Sequence, residues 1–138
     1  MSFDVYLQSF SHGDPVGIPC DAIRETFGDA LSETEADWWR LSFSPDVSCD
    51  LSLSALDDDP QSIHSIIVER PCHDHRLWDG LAHLLGKGSS VIYFPGCSGP
   101  LVADIAVVAH IPRDMLDTLG QPLLVKSGQD ILQHVVTA

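Results

Sequence analysis

The sequence predicts an α+β fold: a mixed, largely antiparallel sheet with a central meander and three to four helices mainly on one face. Consecutive segments of the first half alternate apolar and polar residues, which is typical of half-buried strands. Segments of the second half instead repeat apolar residues at helical spacing. The short connections between three central strand segments favour antiparallel pairing, and this excludes a purely alternating parallel sheet.

The first elements are a strand, a helix and a connector. Residues 3–7 alternate apolar and polar side chains and predict a strand. Residues 12–15 contain glycine and proline and predict a loop. A helix is expected to begin near Pro19, because proline suits the first helical turn, and to end near Gly28. Residues 29–37 are expected to form an acidic connector.

Three strand segments then predict the meander, at residues 39–43, 49–55 and 64–69. The second segment has the clearest alternation, with one apolar face and one face made almost entirely of serine and aspartate. Adjacent strand residues point to opposite faces, so Trp39 is expected in the core and Trp38 is expected to be partly exposed.

The second half is expected to contain a core-facing helix followed by alternating shorter elements. The helix begins after Asp74, and its apolar stripe consists of Leu77, Trp78, Leu81, Leu84 and Leu85. The segments that follow are a strand at 90–94, an ambiguous strand or helical turn at 101–111, a helix at 112–119, a strand at 122–126 and a final helix after Ser127.

Length and cysteine usage limit the number of domains and the kinds of site that the sequence can form. The 138 residues predict a single domain, 1–138. The chain has no secretory signal pattern, which predicts a cytoplasmic location. Its four cysteines contain no Cys-x-x-Cys pair, which argues against a zinc ribbon and favours reduced thiols.

The charge is strongly negative and unevenly distributed. The net charge is −13, and residues 1–60 hold 13 of the 20 acidic residues but only two of the seven basic ones. Nucleic acids and anionic membranes require a basic surface, so neither is expected as the main partner. The acidic residues of the first half can form a solvated face that keeps the protein in solution, or they can steer association with a basic partner.

The leading functional hypothesis is a non-enzymatic binding protein that masks a basic protein partner. The predicted contact residues are acidic side chains of the first half together with Trp38 as an apolar anchor; the acids are Glu33, Glu35, Asp37, Asp57, Asp58 and Asp59. No cofactor is expected.

The alternative hypothesis is a small metal-binding protein or enzyme that uses Cys72, His73, His75 and His83. His75, Asp79 and His83 recur every four residues on one helix face, a spacing that can hold a metal ion. The sequence contains no His-Glu-x-x-His motif, and a third ligand for zinc would have to come from elsewhere. A solvent-exposed polar stripe would have the same pattern.

The whole chain resembles the small, acidic immunity proteins of bacterial toxin systems. The resemblance rests on charge and organisation over the full length, and no functional residue is carried over from it. Residues 2–7 and 93–96 also look like segments of uncharacterised bacterial proteins. The resemblance implies an α+β protein that binds a toxin through an acidic surface.

Overall fold

A ten-stranded mixed sheet forms the centre of the computed structural model, which describes residues 4–56 and 59–137. The strands are β1 (Val5–Ser11), β2 (Asp14–Val16), β3 (Ile18–Pro19), β4 (Leu31–Thr34), β5 (Trp38–Ser44), β6 (Val47–Leu56), β7 (Asp59–Glu69), β8 (Ser90–Tyr93), β9 (Leu101–Val102) and β10 (Leu123–Leu124). The α-helices are α1 (Cys20–Phe27), α2 (His75–Leu85), α3 (Arg113–Leu119) and α4 (Gly128–Val136). These elements confirm the predicted α+β class.

The strand order is β10-β9-β8-β1-β7-β6-β5-β4, with β2 paired to β1 and β3 paired to β7. Strands β5, β6 and β7 form the predicted meander of antiparallel neighbours. Only the β9–β10 pair is parallel among the described strands, so the sheet is mixed and largely antiparallel.

Three predicted segments differ from the structure. The connector at 29–37 contains the edge strand β4, whose mostly exposed side chains give no period-two signal. The loop at 12–15 is a turn at His12 and Gly13 that leads into β2. The ambiguous segment 101–111 begins as strand β9 and continues as a 3₁₀ helix, Ile105–His110. Its start is capped by Asp104, which accepts a hydrogen bond from the Ala106 N–H at 2.9 Å.

The helices are divided between the two faces of the sheet. Helices α1, α2 and α4 contribute to the main core, which they share with the inward side chains of β1 and β5–β7. We call this side of the sheet the inner face and the opposite side the outer face. A smaller core on the outer face joins Phe10, Val91 and Val102 to the 3₁₀ helix and to α3. The predicted placement of the helices mainly on one face is therefore not clearly met, since α3 and the 3₁₀ helix pack against a separate core from α1, α2 and α4.

Helix α2 packs closely against α1 and α4, and a glycine lies at each of the two contacts. A Cβ atom on Gly80 would lie 2.3 Å from a ring carbon of Phe27 in α1. A Cβ atom on Gly128, the first residue of α4, would lie 2.5 Å from the backbone of Trp78 and Asp79. Both helices thus approach α2 as closely as only glycine permits.

None of the helices in the described residues has the length and apolar character needed to cross a lipid bilayer.

Leu81→Ala should lower the free energy of unfolding by about 2–5 kcal/mol, because Leu81 is fully buried in the main core. Denaturant melts measure this change. Ile105→Ala is the matched control, since Ile105 is 68% exposed and its truncation should have little effect. Equal melts for the two variants would contradict the assignment of α2 to the centre of the core.

Candidate protein-docking surface

The outer face of β4–β7 is the part of the sheet that no described helix covers. The residues facing outward here alternate with core residues such as Trp39, Leu41 and Leu51. The 3₁₀ helix and α3 cover only the β1–β8–β9 end of this face. The outward side chains of β5–β7 and the neighbouring strands form two parallel rows, one aromatic and one charged.

The aromatic row crosses five strands in register. Trp38 pairs with Ser52, Ser52 with Ile67, Ile67 with Tyr6, and Tyr6 with Tyr93. All five are half-buried. The Tyr6 and Tyr93 rings stack with their centroids 5.2 Å apart and their planes 7° apart.

The tyrosine end of this row is anchored by one hydrogen bond. The Tyr93 hydroxyl donates to Gln8 Oε1 at 2.9 Å. Burial, and to a lesser extent Tyr6, raises the pKa of Tyr93, so the phenol stays neutral and keeps its proton for this bond. The row therefore offers flat, fixed aromatic area with polar edges, a combination that protein interfaces favour.

The charged row runs beside the aromatic row. Glu33 pairs with Arg40, Arg40 with Asp50, and Asp50 with Glu69. Arg40 Nε donates to Asp50 Oδ1 at 3.1 Å, and Arg40 Nη1 lies 3.6 Å from Glu33 Oε1. Ser52 donates a hydrogen bond to the Glu69 carboxylate. Two carboxylates, those of Glu33 and Asp50, therefore lie against the Arg40 guanidinium, and with Glu69 the row is net negative.

Arg40 links the two rows. Its guanidinium carbon lies 5.1 Å from the ring centroid of Trp38, in a cation–π arrangement. The hydrogen bond from Arg40 to Asp50 is the main reason that the pKa of Arg40 is raised. The half-buried Trp38 ring is therefore covered on one side by the Arg40 guanidinium, which is itself paired with Asp50 and Glu33.

The predicted contact residues are distributed over this surface and its margin. Glu33 and Trp38 lie within the two rows. Glu35 and Asp37 are exposed in the turn between β4 and β5, where their backbone carbonyls accept hydrogen bonds from Trp39 Nε1 and from the Leu53 N–H.

The hairpin between β6 and β7 lies at the same end of the meander as this turn, because β5 and β6 are antiparallel. There Asp59 is exposed, and its Oδ1 accepts a hydrogen bond from the Gln61 N–H at 3.0 Å. Asp57 and Asp58 lie outside the described residues.

Sequence reasoning missed Asp50, Glu69, Tyr6 and Tyr93 as members of this surface. Alternation alone places Asp50 on the polar side of its strand. Its neighbours on that side depend on which strands pair and in what register, and these follow only from the assembled sheet.

A cleft of about 590 Å³ is lined by the α2 members of the alternative metal site, but not by Cys72 or His73. It lies between α1, the end of β5 and α2, and His75, Asp79 and His83 line its α2 wall. Among the described residues, no three histidine, cysteine, aspartate or glutamate side chains are grouped closely enough to hold a metal ion. The stripe with four-residue spacing is thus one wall of a cleft rather than a clustered ligand set.

The start of α2, beside this cleft, is fixed by Asp74 and Arg76. Asp74 Oδ1 accepts hydrogen bonds from the Arg76 N–H and from Arg76 Nε, both at 2.9 Å, and Oδ2 accepts from Nη2 at 2.8 Å. Arg76 Nη2 also donates to the Phe43 carbonyl at 2.7 Å, which ties the helix to β5. The hydrogen bonds from Arg76 lower the pKa of Asp74 to about 2.

Asp74→Asn should flatten the acid dependence of stability. The pKa of Asp74 is depressed in the folded state, so its ionised form stabilises the fold above the unfolded-state value of about 4. This contribution is lost as the pH falls from about 4 towards 2. Denaturant melts across this pH range should therefore show a shallower slope for the Asn variant than for the wild type.

Asp74→Ala is the companion variant, because it also removes the cap of the helix. The Asn side chain can still accept the Arg76 N–H, whereas Ala cannot, so Ala should cost about 1 kcal/mol more at neutral pH. If the free energy of unfolding of Asp74→Asn falls with decreasing pH as steeply as that of the wild type, the carboxylate makes no net charge interaction with Arg76.

Comparison of the chain with protein-family models, with curated proteins and with solved structures found no match.

Proposed function

We propose that this chain is a non-enzymatic binding protein that masks a basic protein partner, in the manner of an immunity protein. The observation that carries the proposal is the outer face of β4–β7, where Trp38 of the aromatic row lies beside a net negative row and no described helix packs over these strands. Tyr93, at the far end of the aromatic row, instead packs against the smaller core beside the 3₁₀ helix and α3. An uncovered face of this kind is a typical protein-docking surface.

Charge complementarity supports a basic partner. The acidic excess of residues 1–60 includes Glu33 and Asp50 on the face and Glu35, Asp37 and Asp59 at its margin. These carboxylates attract a basic surface over a distance of about one Debye length and accelerate its association. Like-charge repulsion disfavours acidic proteins and nucleic acids on the same surface.

The aromatic row supplies the short-range part of the interaction. A partner that covers Trp38 removes apolar ring surface from water, and such buried aromatics dominate the lifetime of complexes. Arginine or lysine side chains of the partner can pair with the carboxylates of the charged row. Arg40 makes the same kind of contact within the chain, since its guanidinium pairs with Asp50 and lies over the Trp38 ring.

Charge reversal at Glu33, Glu35 and Asp37 to Lys should slow association with the captured partner by about tenfold or more at low salt, with a smaller effect on dissociation. The partner is isolated by pull-down from the native cell and mixed with the protein in a stopped-flow instrument. Raising the salt concentration should slow wild-type association much more than it speeds dissociation.

The control is the reversal of Asp21, Asp114 and Asp117 to Lys. These exposed acids lie on α1 and α3, so the net charge changes equally while the meander is untouched. If both triple variants slow association equally, only global charge matters, and the outer face of β4–β7 is not the contact surface.

Trp38→Ala should mainly speed dissociation, because it removes an aromatic contact and leaves the long-range field intact. The same stopped-flow experiment measures it, and Ile105→Ala, which truncates an exposed apolar side chain on the 3₁₀ helix, is the control. A Trp38→Ala complex that dissociates at the wild-type rate would place the ring outside the interface.

A further inference from the structure

The turn between β1 and β2 is held against the end of the 3₁₀ helix. The turn consists of His12 and Gly13, which both have left-handed backbone conformations, with φ of 50° and 86°. Positive φ at both central residues is typical of a two-residue hairpin turn. Such a turn holds its two N–H groups in a fixed direction.

Both N–H groups of the turn donate hydrogen bonds to His110, the last residue of the 3₁₀ helix. The Gly13 N–H donates to the His110 carbonyl at 2.9 Å. The His12 N–H donates to His110 Nδ1 at 3.1 Å. The two imidazole rings also lie against each other, with their centroids 4.6 Å apart and their planes inclined by 60°. His110 therefore binds the turn through both its ring and its backbone.

This contact lies beside the smaller core of the outer face. Phe10 precedes the turn by two residues, Ile111 follows His110, and both are buried in that core. His110 is half-buried and His12 is exposed, so protons reach the pair directly from solvent.

The hydrogen bond to the ring requires a neutral His110. Nδ1 accepts the His12 N–H through its lone pair, so the imidazole must carry its proton on Nε2. Protonation of Nδ1 turns this atom into a donor that faces another donor, and the bond is lost. When His12 is protonated as well, two positive rings lie in contact and repel each other.

The charged side chains around the pair do not offset this effect. Among the described residues, no carboxylate forms an ion pair with either imidazole. The charged side chains on the turn, the 3₁₀ helix and the neighbouring elements are all exposed to solvent; they are Asp14, Lys87, Asp104, Arg113 and Asp114.

We propose that the contact between His110 and His12 is a pH-sensitive switch that holds the β1–β2 turn on the 3₁₀ helix at neutral pH and releases it in mild acid. Histidine changes charge between about pH 5 and 8, so the neutral acceptor is present at the upper end of this range and lost towards the lower end. Because the closed turn requires the neutral imidazole, proton uptake favours the open turn.

Release of the turn loosens the cover over the β1–β8–β9 end of the outer face. The layer of α1, α2 and α4 packs on the inner face and is unaffected. The proposal is independent of the docking surface.

Proton–nitrogen correlation NMR of the full chain between about pH 8 and about pH 5 tests the switch. The amide signals of His12 and Gly13 should shift with the same midpoint as the ring signals of His110. Hydrogen exchange of the His12 N–H, corrected for its intrinsic pH dependence, should become about three- to tenfold faster at the acid end, which is the factor expected for one net hydrogen bond. Amides of β6 should keep their protection.

Variants at His110 separate the acceptor from the charge. In His110→Asn the side-chain carbonyl oxygen can accept the His12 N–H at every pH, so the release in acid should disappear. In His110→Ala the acceptor is absent, and the His12 N–H should exchange rapidly at both ends of the pH range. His134→Asn is the matched control, because His134 is also half-buried and lies in the last turn of a helix, and it should release the turn at the wild-type midpoint.

The wild-type titration keeps the test decisive even if a variant fails to fold. The proposal is overturned if the amides of the turn do not shift in step with the His110 ring, or if the His12 N–H is equally protected at both ends of the pH range. It is also overturned if His110→Asn releases the turn at the wild-type midpoint, or if His110→Ala protects the His12 N–H as well as the wild type does at neutral pH.

Discussion

The packing of α2 against the inner face of the sheet is the interaction on which the other elements depend. Leu77, Leu81 and Leu84 are fully buried, and Trp78 and Leu85 are almost so. Gly80 and Gly128 allow α1 and α4 to approach α2 so closely that a methyl group at either position would collide with its neighbour. Because protein interiors are packed as tightly as crystals, these three helices form a fixed layer that covers the apolar side of β5, β6 and β7.

That layer determines what the opposite side of the sheet can do. Since side chains alternate along each strand, fixing Trp39, Leu41 and Leu51 inward fixes Trp38, Arg40 and Asp50 outward. The outer face then carries the residues that the core cannot accept, and only its β1–β8–β9 end is covered by the 3₁₀ helix and α3. The proposed docking surface is thus the direct consequence of a helical layer that covers the other face.

Side-chain hydrogen bonds fix the start of α2 on the sheet. Arg76 binds Asp74 within the helix and the Phe43 carbonyl in β5, so the first turn is held on the sheet. Arg70, in a left-handed conformation, turns the chain after β7, and Cys72 then packs against the main core just before α2.

The sequence by itself determined the α+β class, the meander, the limits of α2 and the inward position of Trp39, because these depend on periodicity and caps within short segments. It could not show that β4 is an edge strand, because an edge strand with exposed side chains has no alternating pattern. It also gave no means of pairing Asp50 with Glu69 or Tyr6 with Tyr93. Those pairs join residues that are 19 and 87 positions apart along the chain. Only the tertiary structure decided them, because register and chain reversal are set by the burial of the whole sheet against its helices.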